Sequence, residues 1–203
     1  IRPCGSYTGG NQQKILESKA RFISLIAGRQ FGKTTVMLYR LIRRCGKPNS
    51  IVWYVAPLKN QAKDIAWRPL LSMIPEQFRE ISEAELSVTL PNGSLIILKG
   101  AKDSDCRRGP ALDGIALDEM QDWDIDIFDT IFRPLLAAKH GEGIFGGTKK
   151  RGSWFASEWQ RVKKGEVPDS EAFHFRSTDN PLIPSAEWKT IHDSLKLKGK
   201  NKI

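Results

Sequence analysis

The chain has 203 residues, of which 40% are hydrophobic and 27% charged, and its formal net charge is +9 at pH 7. This length suits one α/β domain and is short for two, and no apolar run approaches the length of a membrane span. The positive charge favours an anionic partner, with nucleic acid as the first candidate, although four lysines lie in a C-terminal tail that could equally be a solvated helix end.

The first predicted element is a strand at residues 22–26 that runs directly into a glycine-containing loop. Beyond the loop, residues 35–45 carry an apolar face suited to a helix. Strand, loop and helix in this order are typical of a phosphate-binding loop, whose backbone N–H groups wrap around the phosphates of a nucleotide. The residues expected to bind the nucleotide here are Ala27, Gly28, Arg29, Gln30, Phe31, Gly32, Lys33, Thr34 and Thr35.

Two residues of the loop receive specific roles from this pattern. Lys33 is expected to reach the β- and γ-phosphates of ATP, and the hydroxyl of Thr34 is expected to bind Mg²⁺. The general pattern G-x-x-x-x-G-K-[ST] begins with Gly, whereas this chain has Ala27, but Gly28 follows at once and keeps a flexible residue in the turn. A chance Gly-Lys-Thr is the alternative interpretation, and the flanking strand and helix argue against it.

The rest of the chain alternates between short apolar strands and helices. Asn92-Gly93 between two apolar runs is a hairpin signal. We expect strands at residues 51–55, 86–90, 95–98, 114–117, 143–147 and 172–175, and helices at residues 59–73, 125–138 (interrupted at Pro134), 153–164 and 185–198. This alternation predicts an α/β fold with a mostly parallel sheet covered by helices on both faces.

Two carboxylates, Asp118 and Glu119, follow directly after the strand at residues 114–117. Ligands of open α/β sheets bind at the carboxyl ends of the strands, and in P-loop enzymes an Asp at this place helps to hold Mg²⁺. The neighbouring Glu can orient and deprotonate an attacking water, so the pair favours hydrolysis over kinase-type transfer. Further aspartates follow between residues 122 and 129, and an ordinary acidic turn is therefore the alternative, but only Asp118 and Glu119 abut the strand.

Four segments of the chain carry a family resemblance. They are the loop Ala-Gly-Arg-Gln-Phe-Gly-Lys-Thr, Val55-Ala56-Pro57 with Gln61-Ala62-Lys63 and Trp67, Leu117-Asp118-Glu119, and Phe145-Gly146-Gly147-Thr148. Together they resemble the ATPase domain of the large terminase subunit of tailed bacteriophages, the motors that package DNA. The resemblance covers residues 12–188, and the arginine inside the loop is its most specific part. It implies a P-loop NTPase fold of the RecA-like (ASCE) class.

The resemblance also implies roles for residues outside the two central motifs. Arg29 would contact or sense the γ-phosphate. Thr148 would relay loss of that phosphate to the rest of the domain, although Lys149 stands where the family has Pro. A glutamine ahead of the first strand would recognise adenine, and the sequence leaves Gln12 and Gln13 equally open.

An arginine pair, Arg107 and Arg108, lies shortly before the strand that carries the carboxylates. The resemblance implies that one of them, Arg108 in preference to Arg107, is a finger that reaches the γ-phosphate in the next subunit. A basic pair that faces DNA or solvent is the alternative. The expected catalytic residues are therefore Glu119, Lys33, Arg29 and Arg108, and the expected metal ligands are Thr34 and Asp118.

The implied function is Mg²⁺-dependent ATP hydrolysis that drives double-stranded DNA into a procapsid, in the cytoplasm of the infected bacterial host. The implied partners are DNA, the portal protein, the small terminase subunit and further copies of the chain, as a pentameric ring on the procapsid and a monomer when free; no membrane is expected. Residues 1–195 would form the motor domain. The basic tail at residues 196–203 would begin the linker to a nuclease domain, so that no nuclease activity is expected here.

Two other classes of function remain as alternatives. A helicase-like ATPase that moves along DNA as a monomer would need a second RecA-like domain, which does not fit in 203 residues. A DNA-binding module with a degenerate P-loop would not need the lysine, threonine and two carboxylates that are all intact in this chain.

Overall fold

The computed structural model describes residues 10–103, 106, 109–150 and 152–180. The predicted helix at residues 185–198, the basic tail, Arg107 and Arg108 lie outside the described residues.

The described strands all belong to one sheet. In chain order they are β1 (Phe22–Ala27), β2 (Ile51–Ala56), β3 (Glu80–Ser82), β4 (Ser87–Thr89), β5 (Leu95–Gly100), β6 (Gly114–Leu117), β7 (Glu142–Gly147) and β8 (Ser170–Phe175). The α-helices are α1 (Gly10–Glu17), α2 (Lys33–Arg44), α3 (Lys59–Ala62), α4 (Arg68–Met73), α5 (Ile125–Ile127), α6 (Arg133–Ala137) and α7 (Trp154–Lys163). The spatial order of the sheet is β3-β4-β5-β2-β6-β7-β1-β8.

The sheet is parallel from β5 to β8 and antiparallel only at the edge formed by β3, β4 and β5. The hairpin predicted around Asn92-Gly93 is confirmed, since β4 and β5 pair with Thr89 opposite Leu95. Strand β3 was not predicted, because it has only three residues, of which one is apolar, and it is largely exposed. The predicted mostly parallel sheet is therefore confirmed, with one additional edge strand.

Both faces of the sheet are buried, and β2 illustrates the arrangement. Val52 and Tyr54 join the core on the face covered by α1, α2 and α4, whereas Trp53 and Val55 join the core on the face covered by α6 and α7. A strand buried on both sides needs apolar residues at successive positions, which is why β2 reads as an uninterrupted apolar run. In the described part of the chain, every helix is too short or too polar to span a bilayer.

Two helices continue through a proline by way of a widened turn. A π-helical turn at Lys63–Trp67 joins α3 to α4, and another at Phe128–Phe132 joins α5 to α6. An Arg-Pro pair follows each turn, with Pro69 in the first case and Pro134 in the second. Proline lacks an N–H and its ring clashes with the carbonyl four residues earlier, so a wider turn lets the chain continue. The interruption predicted at Pro134 takes this form.

The strand order decides what meets at the carboxyl end of the sheet. Strand β7 lies between β1, which leads into the predicted phosphate-binding loop, and β6, which leads into the predicted carboxylates. All three strands are parallel, so their following residues emerge side by side at one edge.

Candidate active site

The predicted phosphate-binding loop connects β1 to α2 at the carboxyl end of the sheet. Ala27 is the last residue of β1, is buried, and pairs with Phe175 of β8, so this position requires extended backbone rather than the freedom of glycine. The glycine requirement falls on Gly28, where a Cβ would lie 2.2 Å from Oγ and 2.5 Å from the backbone N of Ser177. The strand pairing of Ala27 with Phe175 therefore accounts for the absence of glycine at residue 27.

Strand β8 and the turn after it contact the loop and support it. This support was not predicted from the sequence. The ring of Phe175 stacks on that of Phe31 with centroids 4.7 Å apart, and the Phe175 carbonyl accepts a hydrogen bond from the Gly28 N–H at 3.1 Å. Nδ2 of Asn180 donates to the Gln30 carbonyl at 2.5 Å. Three residues of the loop are thus held by a segment about 150 positions later in the sequence.

The loop ends in a helix N-terminus that is open to an anion. Gly32 has a φ of 92°, and α2 begins at the next residue, Lys33. No side chain in the described part of the chain caps this N-terminus, and the first turn of α2 contains no acidic residue. Unpaired N–H groups and the positive end of the helix dipole form the kind of site that binds phosphate. Lys33 and Thr34 occupy that first turn, and Arg29 lies exposed at the tip of the loop.

The two glutamines of α1 differ in their surroundings. Gln12 is buried, and its Nε2 donates a hydrogen bond to the Phe31 carbonyl of the loop at 2.8 Å. Gln13 is exposed and donates instead to Glu17 of its own helix at 2.5 Å. Of the two candidates that the sequence left open, only Gln12 contacts the loop.

Asp118 is buried and joins the carboxylate strand to the first turn of α2. Its Oδ2 accepts hydrogen bonds from the hydroxyl of Tyr54 at 2.6 Å and from Oγ1 of Thr34 at 3.4 Å, and its Oδ1 accepts the N–H of Glu119 at 2.9 Å. Burial raises the pKa of Asp118, the hydrogen bond from Tyr54 opposes that rise, and the charge of Glu119 adds to it. The two predicted metal ligands, Thr34 and Asp118, are therefore in contact.

Tyr54 is a member of this site that sequence reasoning missed. Burial, followed by the charge of Asp118, raises the pKa of the Tyr54 hydroxyl well above its ordinary value, so it remains a protonated donor. Nothing in the apolar run of β2 distinguishes this tyrosine from a core residue, because its role depends on the neighbouring strand β6.

The donor set suits a metal ion only when a nucleotide completes it. Within the described residues, no group of three or more His, Cys, Asp or Glu side chains could hold a metal ion by itself. One carboxylate and one hydroxyl fit Mg²⁺ in nucleotide sites, where substrate phosphates and water supply the remaining oxygen ligands. Thr34 and Asp118 are such a pair.

Glu119 and Thr148, predicted as base and coupling residue, are linked through a residue that the sequence did not single out. Glu119 has a left-handed backbone with a φ of 54°, and its Oε2 accepts a hydrogen bond from Nε2 of Gln121 at 2.5 Å. Oε1 of Gln121 accepts the N–H of Thr148, just after β7, at 2.9 Å. The only sequence signal for Gln121 is an uncharged polar residue within an acidic run.

The chain is similar in sequence to large terminase subunits. A family model described as the N-terminal part of the terminase large subunit, T4-like virus type, matches residues 24–134, more than half of the chain. The terminase large subunit of Escherichia phage T5 is 26% identical over 190 residues, which are 91% of this chain and 42% of that protein. The chain therefore spans less than half the length of this curated relative.

The fold is that of large terminase ATPase domains. The ATPase domain of the large terminase of Thermus phage P74-26 matches with a TM-score of 0.78 at 22% identity, covering 92% of this chain and 86% of that domain. The large terminase of another thermophilic bacteriophage, in complex with ATP-γ-S, matches with a TM-score of 0.73 at 16% identity, covering 90% of this chain and 48% of that protein. The predicted P-loop NTPase fold of the RecA-like class is confirmed.

Proposed function

Since this chain belongs to the terminase large subunit family, as an N-terminal part of the T4-like type, we propose that it is a Mg²⁺-dependent ATPase that drives double-stranded DNA into a procapsid. The observation that carries the proposal is the hydrogen bond between Thr34 Oγ1 and Asp118 Oδ2. It supports an intact nucleotide site because it joins the loop to the carboxylate strand across 84 residues of sequence. Glu119 is the next residue along the chain.

The phosphates of ATP would bind at the N-terminus of α2. The uncapped N–H groups of the first turn and the ammonium of Lys33 would neutralise the β- and γ-phosphates. Arg29, exposed at the loop tip, can swing onto the γ-phosphate without leaving a buried partner unpaired.

Thr34 and Asp118 would hold Mg²⁺ through one hydroxyl and one carboxylate oxygen. The ion would supply neutralisation of the charge that develops on the phosphates during transfer. Tyr54 keeps the Asp118 carboxylate oriented toward Thr34, because its hydroxyl donates a hydrogen bond at 2.6 Å to Oδ2, the oxygen that also accepts from Thr34.

Glu119 would orient and deprotonate the attacking water. A carboxylate directly after the Mg²⁺ ligand can accept the proton of a water that attacks the γ-phosphate in line. General-base catalysis of this kind contributes ~10²–10⁴-fold to the rate.

Gln12, rather than Gln13, would recognise adenine. Its Nε2 is bound to the loop carbonyl of Phe31, which fixes the amide plane and leaves Oε1 able to accept a hydrogen bond from the adenine amino group. Gln13 is exposed and engaged with Glu17 of the same helix.

The motor role extends to partners beyond the nucleotide. The net charge of +9 suits contacts with DNA phosphates. We place the chain in a ring of copies, pentameric on the procapsid and monomeric when free, that meets the portal protein and the small terminase subunit in the host cytoplasm. Residues 1–195 would be the motor domain, and residues 196–203 the start of a linker.

The test is ATP hydrolysis with and without double-stranded DNA, for the wild type and for Glu119→Ala. We expect Mg²⁺-dependent hydrolysis that DNA stimulates, and a fall of at least about 100-fold in the variant with ATP binding retained. Glu85→Ala is the matched control, because Glu85 is exposed and lies outside the site. No ATP binding by the wild type would refute the proposal and favour a DNA-binding module with a degenerate loop.

Arg108 is proposed as the finger that acts on the neighbouring subunit's nucleotide, and this chain segment lies outside the described residues. Arg108→Ala should lose hydrolysis, since such a finger contributes ~10³–10⁵-fold. Mixing it with Glu119→Gln subunits, which still carry the arginine, should restore part of the rate. Mixtures as inactive as their separate components would contradict action between subunits.

A further inference from the structure

Gln121 occupies a short 3₁₀ turn, Met120–Asp122, directly after the candidate base, and only 8% of its surface is exposed. Its side-chain amide is fully engaged. Nε2 donates to Oε2 of Glu119 at 2.5 Å and to Oδ2 of Asp122 at 3.0 Å, while Oε1 accepts the backbone N–H of Thr148 at 2.9 Å. This buried glutamine therefore connects the two carboxylates, Glu119 and Asp122, to the end of strand β7.

The neighbouring strand makes room for this side chain. A Cβ on Gly147, the last residue of β7, would lie 2.6 Å from Oε1 of Gln121 and 3.0 Å from the ring of Phe155. Glycine at this position therefore permits the amide to reach the end of β7. Any side chain at Gly147 would push Gln121 away from Thr148.

The contact at Thr148 is made by the main chain. The described hydrogen bond uses the backbone N–H of Thr148 and not its hydroxyl. Because an amide is planar and rigid, a displacement of the Thr148 backbone moves Oε1 and Nε2 together. The carboxylate of Glu119 follows through a charge-assisted hydrogen bond, which is about twice as strong as a neutral one.

A second hydrogen-bonded path runs parallel to the first. Nε1 of Trp123 donates to the carbonyl of Asp118 at 2.9 Å, and Nε1 of Trp154 donates to the carbonyl of Trp123 at 2.6 Å. Trp154 is the first residue of α7. The segment that carries the carboxylates is thus tied to the connection between β7 and α7 through the side chain of Gln121 and through the backbone of Trp123, and Lys150 of that connection also donates to Oδ1 of Asp122 at 2.9 Å.

We propose that Gln121 is a positioning residue that holds the Glu119 carboxylate and makes its position depend on the end of β7 at Thr148. This inference rests on the proposed role of Glu119 as the base. Gln121 itself does not touch the nucleotide. It fixes the position of the Glu119 carboxylate. A displacement of the β7–α7 connection therefore displaces Glu119, and a displacement of Glu119 displaces the connection.

The experiment measures kcat, KM for ATP and thermal unfolding for Gln121→Leu and Gln121→Glu in the 203-residue chain. Leucine removes the hydrogen bonds to both Glu119 and Thr148. Glutamate keeps an acceptor for the Thr148 N–H but can no longer donate to Glu119. We expect kcat to fall about tenfold or more in both variants, since a hydrogen bond to a charged group is lost. We expect KM and ATP affinity to stay within about twofold, because the described hydrogen bonds of Gln121 reach neither the P-loop nor Gln12.

Gln160→Leu and Gln160→Glu are matched controls, because Gln160 is exposed on α7 and undergoes the same chemical changes. Gly147→Ala adds an independent arm, since it leaves Gln121 in place chemically but displaces its oxygen. We expect this variant to show the same loss of kcat with KM retained. It also keeps the proposal testable if Gln121→Leu fails to fold.

The outcomes separate the two proposals. A wild type that neither binds nor hydrolyses ATP refutes the proposed function. An active wild type with Gln121 variants equal in kcat to the Gln160 controls refutes the positioning role alone. A parallel loss of kcat, ATP affinity and thermal stability overturns it as well, because that pattern belongs to a purely structural residue.

Discussion

Asp113 ties together the strand starts at the end of the sheet opposite the candidate active site. It directly precedes β6, and its side chain is 1% exposed. Its Oδ1 accepts a hydrogen bond from Lys47 at 3.0 Å, and its Oδ2 accepts from Lys139 at 2.8 Å and from the N–H of Ile51 at 3.0 Å. Replacing Asp113 by asparagine keeps the shape and removes the charge.

The size of the effect follows from the pKa. Burial alone raises the pKa of Asp113, but the hydrogen bonds from Lys139, Ile51 and Lys47 outweigh burial and lower the pKa from 3.8 to about 2. A change of one in pKa corresponds to ~1.36 kcal/mol, so the charged form stabilises the fold by about 2 kcal/mol at neutral pH. Because the folded-state pKa is depressed, this stability is present above the unfolded pKa and is lost as pH falls toward the folded one.

Urea unfolding of the wild type and Asp113→Asn across pH measures this contribution. We expect the free energy of unfolding to be about 2 kcal/mol lower in the variant at pH 7, with a difference that narrows as pH falls from about 4 to about 2. Asp64→Asn is the control, because Asp64 is exposed. A difference that stays constant with pH, or one no larger than that of the control, would refute the electrostatic reasoning.

Three further predictions concern the candidate site. Gly28→Ala places a methyl group against the backbone of the turn after β8, so we expect a loss of about 1–3 kcal/mol in unfolding free energy and weaker ATP binding; wild-type stability would contradict the close approach. Tyr54→Phe frees Asp118 from its 2.6 Å hydrogen bond, and we expect the Mg²⁺ concentration for half-maximal hydrolysis to rise about tenfold; an unchanged Mg²⁺ titration would count against it. Gln12→Ala should reduce the preference for ATP over GTP and Gln13→Ala should not, as measured by competition binding; equal effects would contradict the assignment.

The local motifs were open to prediction because their signals lie in consecutive residues. The P-loop, the Asp118-Glu119 pair and the hairpin at Asn92-Gly93 each combine a turn or a chemical pair with flanking apolar runs. Strand β3 gave no such signal, because three largely exposed residues with one apolar side chain are too short a pattern to indicate a strand. The sequence predicted the interruption at Pro134. It did not predict that a π-helical turn would let the helix continue past this proline.

The contacts between distant segments that assemble the site could not be predicted in the same way. The choice of Gln12 over Gln13 depends on where α1 packs against the loop. The roles of Tyr54 and Gln121 depend on β2 and β7 both lying beside β6. Each of these residues is ordinary in its own segment, and its partner lies in another element.

The proposed chemistry of this protein could be predicted from consecutive residues, because a lysine and a threonine after a glycine loop and two carboxylates after a strand have few other uses. How those groups are held depends on contacts between distant segments. Sheet order brings Ser177 against Gly28 and links Glu119 to Thr148 through Gln121. Such contacts escape sequence reasoning because neighbours in a parallel sheet are set by crossover connections, which no local pattern of residues encodes.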